Sequence, residues 1–419
     1  MTKVISFEGI LKLLRVVLFV LFTSYSSNWI LSADFGEARK GEYLYFSLKD
    51  RMPFKRELVA QSYKNSQKVN EQNIYEFLAG REAALTEEII SGNKYALAKF
   101  LTELEIIRND DRTSFWSDTW WKYRIIIAMI RSNPDLLLET IAQHKQEINP
   151  RFICLFYPSP DLYGYSACLY LLRSRIKSLE KVEKPELKEI RDEYLLKMKD
   201  NLSLLSKEKN GKEQIHSSLG DKMNEKFQIK LNRADFILPE EISRAKQRIE
   251  NCPCPSNIHL LLKALRSEKD EAVMVKVMRL CLNITDLLWE EFISGNEEAV
   301  EIFLMFYKYG EHHLYQEAVE ADITTLLRCK PDVFLKALKK NMNLFYTTTL
   351  TYPVDSVTFL PRIKEVCKYF LSKRIEALMR VQDKELVSLR DICIYNIKAK
   401  IEEINKSREY ETLSLNANK

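Results

Sequence analysis

An internal repeat constrains this chain more than any other feature. Ten residues between positions 85 and 101 recur in the same order 203 positions later in the 419-residue sequence. The matched pairs are Leu85 and Leu288, Glu87 and Glu290, Glu88 and Glu291, Ile90 and Ile293, Ser91 and Ser294, Gly92 and Gly295, Asn93 and Asn296, Ala96 and Ala299, Phe100 and Phe303, and Leu101 and Leu304. Self-similarity over a long period indicates stacked helical units rather than one large enzyme core.

Two later stretches continue the repeat. The spacing Arg-x-x-Pro-Asp begins at Arg131 and again at Arg328. A second set of six residues also recurs: Cys168, Tyr170, Leu172, Arg175, Ile176 and Leu179 match Cys367, Tyr369, Leu371, Arg374, Ile375 and Leu378. Three stretches in the same order indicate a duplication, so we expect two related lobes.

The repeated residues are of types that begin and end helices. Gly92 can adopt the left-handed conformation that terminates a helix, and Asn93 can cap the next one. Pro134 suits the first position of a further helix. With few breaking residues, 10 Gly and 12 Pro in all, the sequence predicts an all-α fold of about seven helices per copy. We expect an α-solenoid of the HEAT or armadillo kind, by fold-level analogy.

Composition along the chain predicts the domain boundaries. Helical periodicity places lobe 1 at residues 34–205 and lobe 2 at residues 237–407. Residues 206–236 are rich in Lys, Asn, Gly and Ser without periodicity, which is typical of a flexible linker. The polar tail at residues 408–419 is expected to be disordered.

The first 33 residues have the layout of a secretory signal peptide. Lys3, Lys12 and Arg15 precede an apolar run over residues 16–22, and a more polar run follows. This pattern predicts export to the periplasm or secretion. An uncleaved membrane anchor is the alternative, since the uncharged stretch over residues 16–33 just reaches spanning length. A buried helix of a cytosolic protein is a third interpretation. Membrane contact is expected only through residues 1–33, if they are retained.

The charge balance argues against a nucleic-acid partner. The chain carries 64 Lys and Arg against 59 Asp and Glu, a net charge of +5. This small excess is spread over mixed-sign positions, without a basic stripe that carries interleaved aromatic residues. We therefore expect no nucleic-acid binding.

The eight cysteines fall into two kinds of position. Cys168 and Cys367 lie on apolar helical faces, where core packing is expected. Cys252 and Cys254 lie in the turn Asn-Cys-Pro-Cys-Pro, which could hold a metal or form a disulfide, including a redox-active one. No second Cys or His pair follows nearby to complete a tetrahedral metal site. A disulfide from this turn to another part of the chain is therefore favoured over a metal site.

Catalytic and cofactor motifs are missing from the sequence. It contains no Gly-rich phosphate loop, dinucleotide fingerprint, Gly-x-Ser-x-Gly elbow or His-Glu-x-x-His zinc helix. His313 and Glu317 could share a helix face, but a third metal ligand is not visible, so we interpret them as a solvated face. The adjacent pair Glu87 and Glu88, and its repeat, should point apart on a helix and is expected to be surface charge. No cofactor or metal is predicted.

A tryptophan cluster is the candidate partner site. Trp116, Trp120 and Trp121 could anchor an unidentified protein partner or a carbohydrate ring; in the alternative interpretation, two of them fill the core. The leading hypothesis is an exported interaction or scaffold module without catalytic activity. The alternative is an enzyme, a hydrolase or glycan-active protein, with an acidic cleft between the lobes.

Overall fold

The computed structural model describes residues 69–78, 82–104, 112–213, 238–309, 313–342, 347–352 and 363–407. These residues belong to one compact unit formed by residues 44–213 and 237–419. A second unit, Met1–Tyr43 with Gln214–Phe236, lies outside them, as do the predicted signal peptide or anchor at 1–33 and the tail at 408–419. Within the described ranges, no helix has the length and apolar character needed to cross a membrane.

The described ranges contain helices and short 3₁₀ turns but no β-strand, which confirms the all-α prediction. The first copy supplies α1 (Ile74–Leu78), α2 (Glu82–Ile90), α3 (Lys94–Thr102), α4 (Arg112–Ser132), α5 (Pro134–Gln143), α6 (Pro160–Glu180) and α7 (Lys188–Glu213). The second copy and the segment before it supply α8 (Glu240–Asn251), α9 (Pro255–Ser267), α10 (Glu271–Leu280), α11 (Thr285–Ser294), α12 (Glu297–Tyr309), α13 (His313–Cys329), α14 (Pro331–Lys340), α15 (Lys364–Met379) and α16 (Val387–Lys406).

The repeated Ser-Gly-Asn sequence forms the same turn in both copies. Gly92 and Gly295 have φ angles of 105° and 94°, in the left-handed region that Gly tolerates. Asn93 Oδ1 accepts hydrogen bonds from the backbone N–H groups two and three residues later, at 3.0 and 3.1 Å. Asn296 Oδ1 does the same at 3.1 and 3.2 Å. Both predicted roles, helix termination and N-capping, are confirmed.

Proline begins the equivalent helices α5 and α14. Pro134 and Pro331 each occupy the first turn, as predicted, where the missing N–H costs nothing. Asn133 caps α5 through a 3.3 Å hydrogen bond from the Leu136 N–H. Lys330 stands before α14, and its side chain is not a cap. The two copies therefore share the start signal but differ in the cap.

Helix α7 extends further than the sequence predicted. It continues to Glu213, eight residues past the expected end of lobe 1 at residue 205. Leu205 is still buried, and the Lys and Glu residues that follow are good helix formers, so lower periodicity did not end the helix. The rest of the predicted linker, residues 214–236, lies outside the described ranges.

Helices of the two copies pack against each other. Helix α2 of the first copy contacts α13 of the second, and α11 of the second contacts α4 of the first. By the sequence repeat, α2 corresponds to α11 and α4 to α13. Helix α8 also packs on α6. The described helices of both copies thus bury their apolar faces within the same compact unit.

Candidate functional site

The repeated glutamates are buried, so the expectation of surface charge was wrong. Glu87 and Glu88 have 1% and 0% exposure, and Glu290 and Glu291 are also buried. Their partners are arginines of the other copy. A helix position that looks solvent-facing on its own helix becomes interior when another helix covers it.

Glu87 and Glu290 each accept two hydrogen bonds from an arginine. Arg374 donates from Nε and Nη2 to Glu87, at 3.0 and 2.6 Å. Arg175 donates from the same two atoms to Glu290, the Nε contact being 3.1 Å. Each arginine is fully buried, and its third nitrogen donates to the carbonyl oxygen of Leu350 or Phe156. The two sites correspond in sequence and in these three hydrogen bonds, and Arg175 Nη2 also donates to the Tyr123 hydroxyl at 2.7 Å.

Glu88 and Glu291 form the second pair of sites. Arg328 Nη1 donates to Glu88 at 2.6 Å, and the Tyr369 hydroxyl donates at 2.7 Å. Glu291 accepts from Arg131 and from the Tyr170 hydroxyl, both at 3.0 Å. Burial opposes ionisation of Glu88, but Arg328, Asn93 and Tyr369 outweigh it and lower its pKa. We call these four sites the reciprocal ion pairs.

The reciprocal ion pairs are suited to structure rather than catalysis. Each carboxylate is paired with a cation, through two hydrogen bonds at Glu87 and Glu290 and together with a tyrosine hydroxyl at Glu88 and Glu291, as a buried charge requires. Protonation of one of these carboxylates would leave its arginine buried without a counter-ion. Positions where the copies differ are therefore the better candidates for function.

One such position is a charged cluster between α4, α11 and α13, which we call the acid cluster: Arg124, Asp286, Trp289 and Asp322. Arg124 Nη2 lies 2.9 Å from Asp322 Oδ2, and the Trp289 indole N–H donates to the other carboxylate oxygen at 3.1 Å. The Arg124 guanidinium stacks 4.4 Å from the centroid of the Trp289 ring. Asp322 is thus held by one residue from each copy.

The two aspartates of the acid cluster are held in environments that favour protonation. Asp286 is accessible to solvent, yet the surrounding protein removes enough water to raise the pKa of its carboxyl to about 6, with Asp322 adding to and Arg124 opposing the shift. Burial also raises the pKa of Asp322, against the opposing effect of Arg124 and its hydrogen bonds. Asp286 is therefore an accessible acid that changes charge near neutral pH.

The acid cluster has no charged equivalent on the exchanged pair of helices. By the repeat spacing, the matching residues there are Ala321, Ala83, Thr86 and Ile125. Ala83 packs beside Ala321 and Tyr352 in an apolar group. Sequence reasoning missed the acid cluster. A signal was visible in the sequence, because Arg124, Asp286 and Asp322 each match an alanine or an isoleucine in the other copy.

A second site that sequence reasoning missed is a shallow, open surface along α16, which we call the α16 groove. Its volume is about 740 Å³, and it is lined by Lys384, Val387, Ser388, Asp391, Ile392, Tyr395 and Asn396. Tyr395 is 73% exposed and Ile392 is 49% exposed. Leu196, the counterpart of Tyr395 on α7, is also exposed. The sequence signal that could have indicated this site is the presence of Ile392 and Tyr395 on the otherwise polar face of α16.

The structure places Trp121 in the core. Its side chain is 8% exposed and lies with its ring centroid 5.6 Å from that of Phe100, so it offers little surface to a partner. This matches the core-packing alternative. The side chains of Trp116 and Trp120 lie outside what the structure describes, so their role stays a prediction, as does that of His313.

The cysteines match the two predicted kinds of position. Cys168 and Cys367 are fully buried, which confirms core packing. Cys252 and Cys254 are half-buried free thiols at the turn between α8 and α9, and the disulfide to another part of the chain stays a prediction. Across the described residues, no group of three or more His, Cys, Asp or Glu side chains is placed to hold a metal ion.

Comparisons with known proteins add no family. No protein-family model, no curated protein and no solved structure matches the chain.

Proposed function

We propose that this chain is an exported, helical-repeat interaction module that binds an amphipathic helix of a partner protein along the α16 groove. The carrying observation is the exposure of Tyr395 and Ile392 side by side on a helix whose opposite face is buried. Exposed large apolar side chains that form a contiguous patch mark interaction sites, whereas single scattered ones do not. Export rests on the signal-like residues 1–33.

The spacing of the groove residues supports a helical occupant. Positions 387, 391 and 395 follow the four-residue steps of one face of α16. Over these positions α16 rises about 12 Å, at 1.5 Å per residue. That length suits about two turns of a partner helix, whose apolar positions would recur at the same steps.

The chemistry of the groove supports a specific contact rather than general adhesion. Tyr395 can anchor a partner with little loss of side-chain entropy, as interface tyrosines do. Lys384 and Asp391 stand beside the apolar residues and can pair with charges of either sign at the rim. The expected partner helix therefore has an apolar stripe flanked by mixed charges.

The reciprocal ion pairs support a rigid platform beneath this groove. Arg374 on α15 is tied to Glu87 of the first copy, and α16 packs on α15. We infer that the duplicated sequence forms two equivalent helical-repeat halves that exchange ion pairs about an approximate two-fold axis. A surface held from both halves loses less entropy on binding than a mobile one.

Site-specific photo-crosslinking in the native host tests the proposal. A photoreactive amino acid at Ser388 should capture a distinct protein through a helical peptide of that protein. Tyr395→Ala combined with Ile392→Ala should abolish capture, whereas Leu196→Ala on α7 should not change it. Cross-links solely to a second copy of this chain, or capture that survives the double substitution, would contradict the proposed partner.

The acid cluster favours a second candidate function, an enzyme that uses Asp286 as a general acid. A carboxyl with a pKa near neutrality, beside another carboxyl that is ion-paired, is an arrangement that glycosidases use. Purified protein assayed on a panel of aryl glycosides should then show turnover that Asp286→Asn removes, with an acid limb near the Asp286 pKa. Absence of turnover on every substrate, or turnover unchanged in Asp286→Asn, would exclude this use of Asp286.

A further inference from the structure

The turn Cys252-Pro253-Cys254-Pro255 places two thiols together between α8 and α9. Helix α8 ends at Asn251, and Cys254 is the residue that precedes the first turn of the 13-residue helix α9. Both thiols are half-buried and so remain reachable from solvent. They lie near α6, because α8 packs on that helix.

Hydrogen bonds hold the turn in shape. The Asn257 side-chain amide donates to the carbonyl oxygens of Cys252 and Arg248, at 2.7 and 3.2 Å. Cys254 Sγ lies 3.2 Å from the Ser256 hydroxyl oxygen. Only Pro253 separates Cys252 from Cys254, and each thiol influences the pKa of the other. Two half-buried thiols two residues apart, on a turn that hydrogen bonds hold in shape, are candidates for reaction with each other.

The environments of the two thiols differ. Burial opposes ionisation of Cys254, but hydrogen bonds from Ser256, Asn257 and Cys252 outweigh it and lower its pKa. Burial and the neighbouring Cys254 raise the pKa of Cys252 to about 11. The start of α9 also favours a negative charge at Cys254. Cys254 is therefore the better nucleophile, and Cys252 is suited to be the resolving cysteine.

Other cysteines of the described residues lack this combination. Cys154 is exposed, but burial of its thiol group raises its pKa, and its sequence neighbours are not cysteines. Burial also raises the pKa of Cys281 and Cys393. Cys154 is accordingly the internal control for an exposed thiol that is not activated.

We propose that Cys252 and Cys254 form a redox-active dithiol that reduces disulfide-bonded substrates by thiol–disulfide exchange. The Cys254 thiolate attacks one sulfur of a substrate disulfide, the substrate S–S bond breaks, and the first substrate thiolate leaves and takes up a proton. Cys252, after losing its proton to solvent, attacks Cys254 Sγ and releases the second substrate thiolate. The protein ends as the Cys252–Cys254 disulfide, and the substrate disulfide has gained two electrons and two protons.

This proposal is independent of the α16 groove and of the acid cluster. It differs from the expected disulfide to another part of the chain, because here the two thiols of the turn react with other molecules and then with each other. The substrate class is a disulfide, either of a protein or of a small thiol compound. Oxidised glutathione is the probe used to test it.

Equilibration of the full-length protein with glutathione redox buffers, followed by alkylation and peptide mapping, tests the dithiol. We expect Cys252 and Cys254 to become protected together, with their shared peptide lighter by two hydrogens. Cys254 should react with a disulfide probe at least about tenfold faster than Cys154, as expected for a thiolate-stabilised cysteine. In Cys252→Ser, reaction should stop at a glutathione adduct on Cys254.

The controls separate a reactive pair from a structural one. Cys154→Ser should leave the protection pattern and the rate at Cys254 unchanged. Peptide mapping of the wild-type protein decides the case even where a cysteine variant does not fold. Independent glutathione adducts on both cysteines of the wild type, or a Cys254 rate no greater than that of Cys154, would overturn the proposal.

Discussion

Arg374 and Glu87 lie 287 positions apart in the sequence and form a buried, two-bond ion pair, with N–O distances of 3.0 and 2.6 Å. Arg175 and Glu290 repeat the arrangement with the copies exchanged. Each copy thus supplies the arginine that pairs with a buried glutamate of the other copy. This reciprocity explains why both a Glu pair and two arginines recur in the repeated sequence.

Loss of one partner of a reciprocal ion pair should be costly. Arg175→Met leaves Glu290 buried without its cation, and we expect a loss of about 3–5 kcal/mol in the free energy of unfolding. Lys145→Met, which breaks the exposed pair of Lys145 with Glu193, should cost less than about 1 kcal/mol. Urea unfolding of both variants measures the contrast. Equal losses would show that burial of the pair does not matter.

The two repeated glycines should differ in their tolerance of alanine. Both have positive φ angles, so Gly92→Ala and Gly295→Ala should each cost about 1 kcal/mol. An added Cβ at Gly295 would lie 3.1 Å from Lys330 Cδ, against 3.7 Å from Asn133 Nδ2 at Gly92. We expect the Gly295 variant to melt at the lower temperature. An unchanged melting temperature for either variant would contradict this account of the turn.

The two repeated caps should also differ. Asn93 and Asn296 both cap a helix, but the Asn93 amide also donates to Glu88 at 2.7 Å and to the Glu71 carbonyl at 2.8 Å. Removal of a cap costs about 1 kcal/mol, and Asn93→Ala additionally removes a hydrogen bond from a buried carboxylate. Chemical denaturation should therefore show a larger loss for Asn93→Ala than for Asn296→Ala. The reverse order would argue against the role given to Asn93.

The acid cluster predicts a pH effect on stability. The folded protein raises the pKa of Asp286 from 3.8 to about 6, so between these values the folded state binds more protons than the unfolded state. Asp286 therefore lowers stability progressively as pH rises through this window. Asp286→Asn should match the wild type below it and be more stable above it. Denaturant midpoints of both proteins across the window test this, and a constant difference would refute it.

The sequence predicted local structure well because local chemistry determines it. The conformation at Gly92, the cap at Asn93 and the start at Pro134 each depend on a few neighbouring residues. The burial of Glu87 could not be predicted in this way, because its partner Arg374 comes from the other copy. The recurring Arg and Glu residues carried that information as a set of matched opposite charges.

The candidate functional sites were less predictable than the fold. Trp121 was a candidate partner anchor because it is aromatic, yet aromatic residues also fill cores. Only the burial of the side chain separates a partner anchor from a core residue. No sequence motif marks Asp286 or Tyr395. They became candidates through their surroundings, because dense protein lies around the carboxyl of Asp286 and open solvent lies around the ring of Tyr395.

A double-mutant cycle on Glu87 and Arg374 tests the interlocking of the two copies most directly. Glu87→Gln, Arg374→Met and the combined variant are unfolded in urea beside the wild type. The structure predicts a coupling free energy above about 1 kcal/mol, because residues in one buried ion pair do not act independently. Additive losses within about 0.5 kcal/mol would contradict a direct ion pair between the copies.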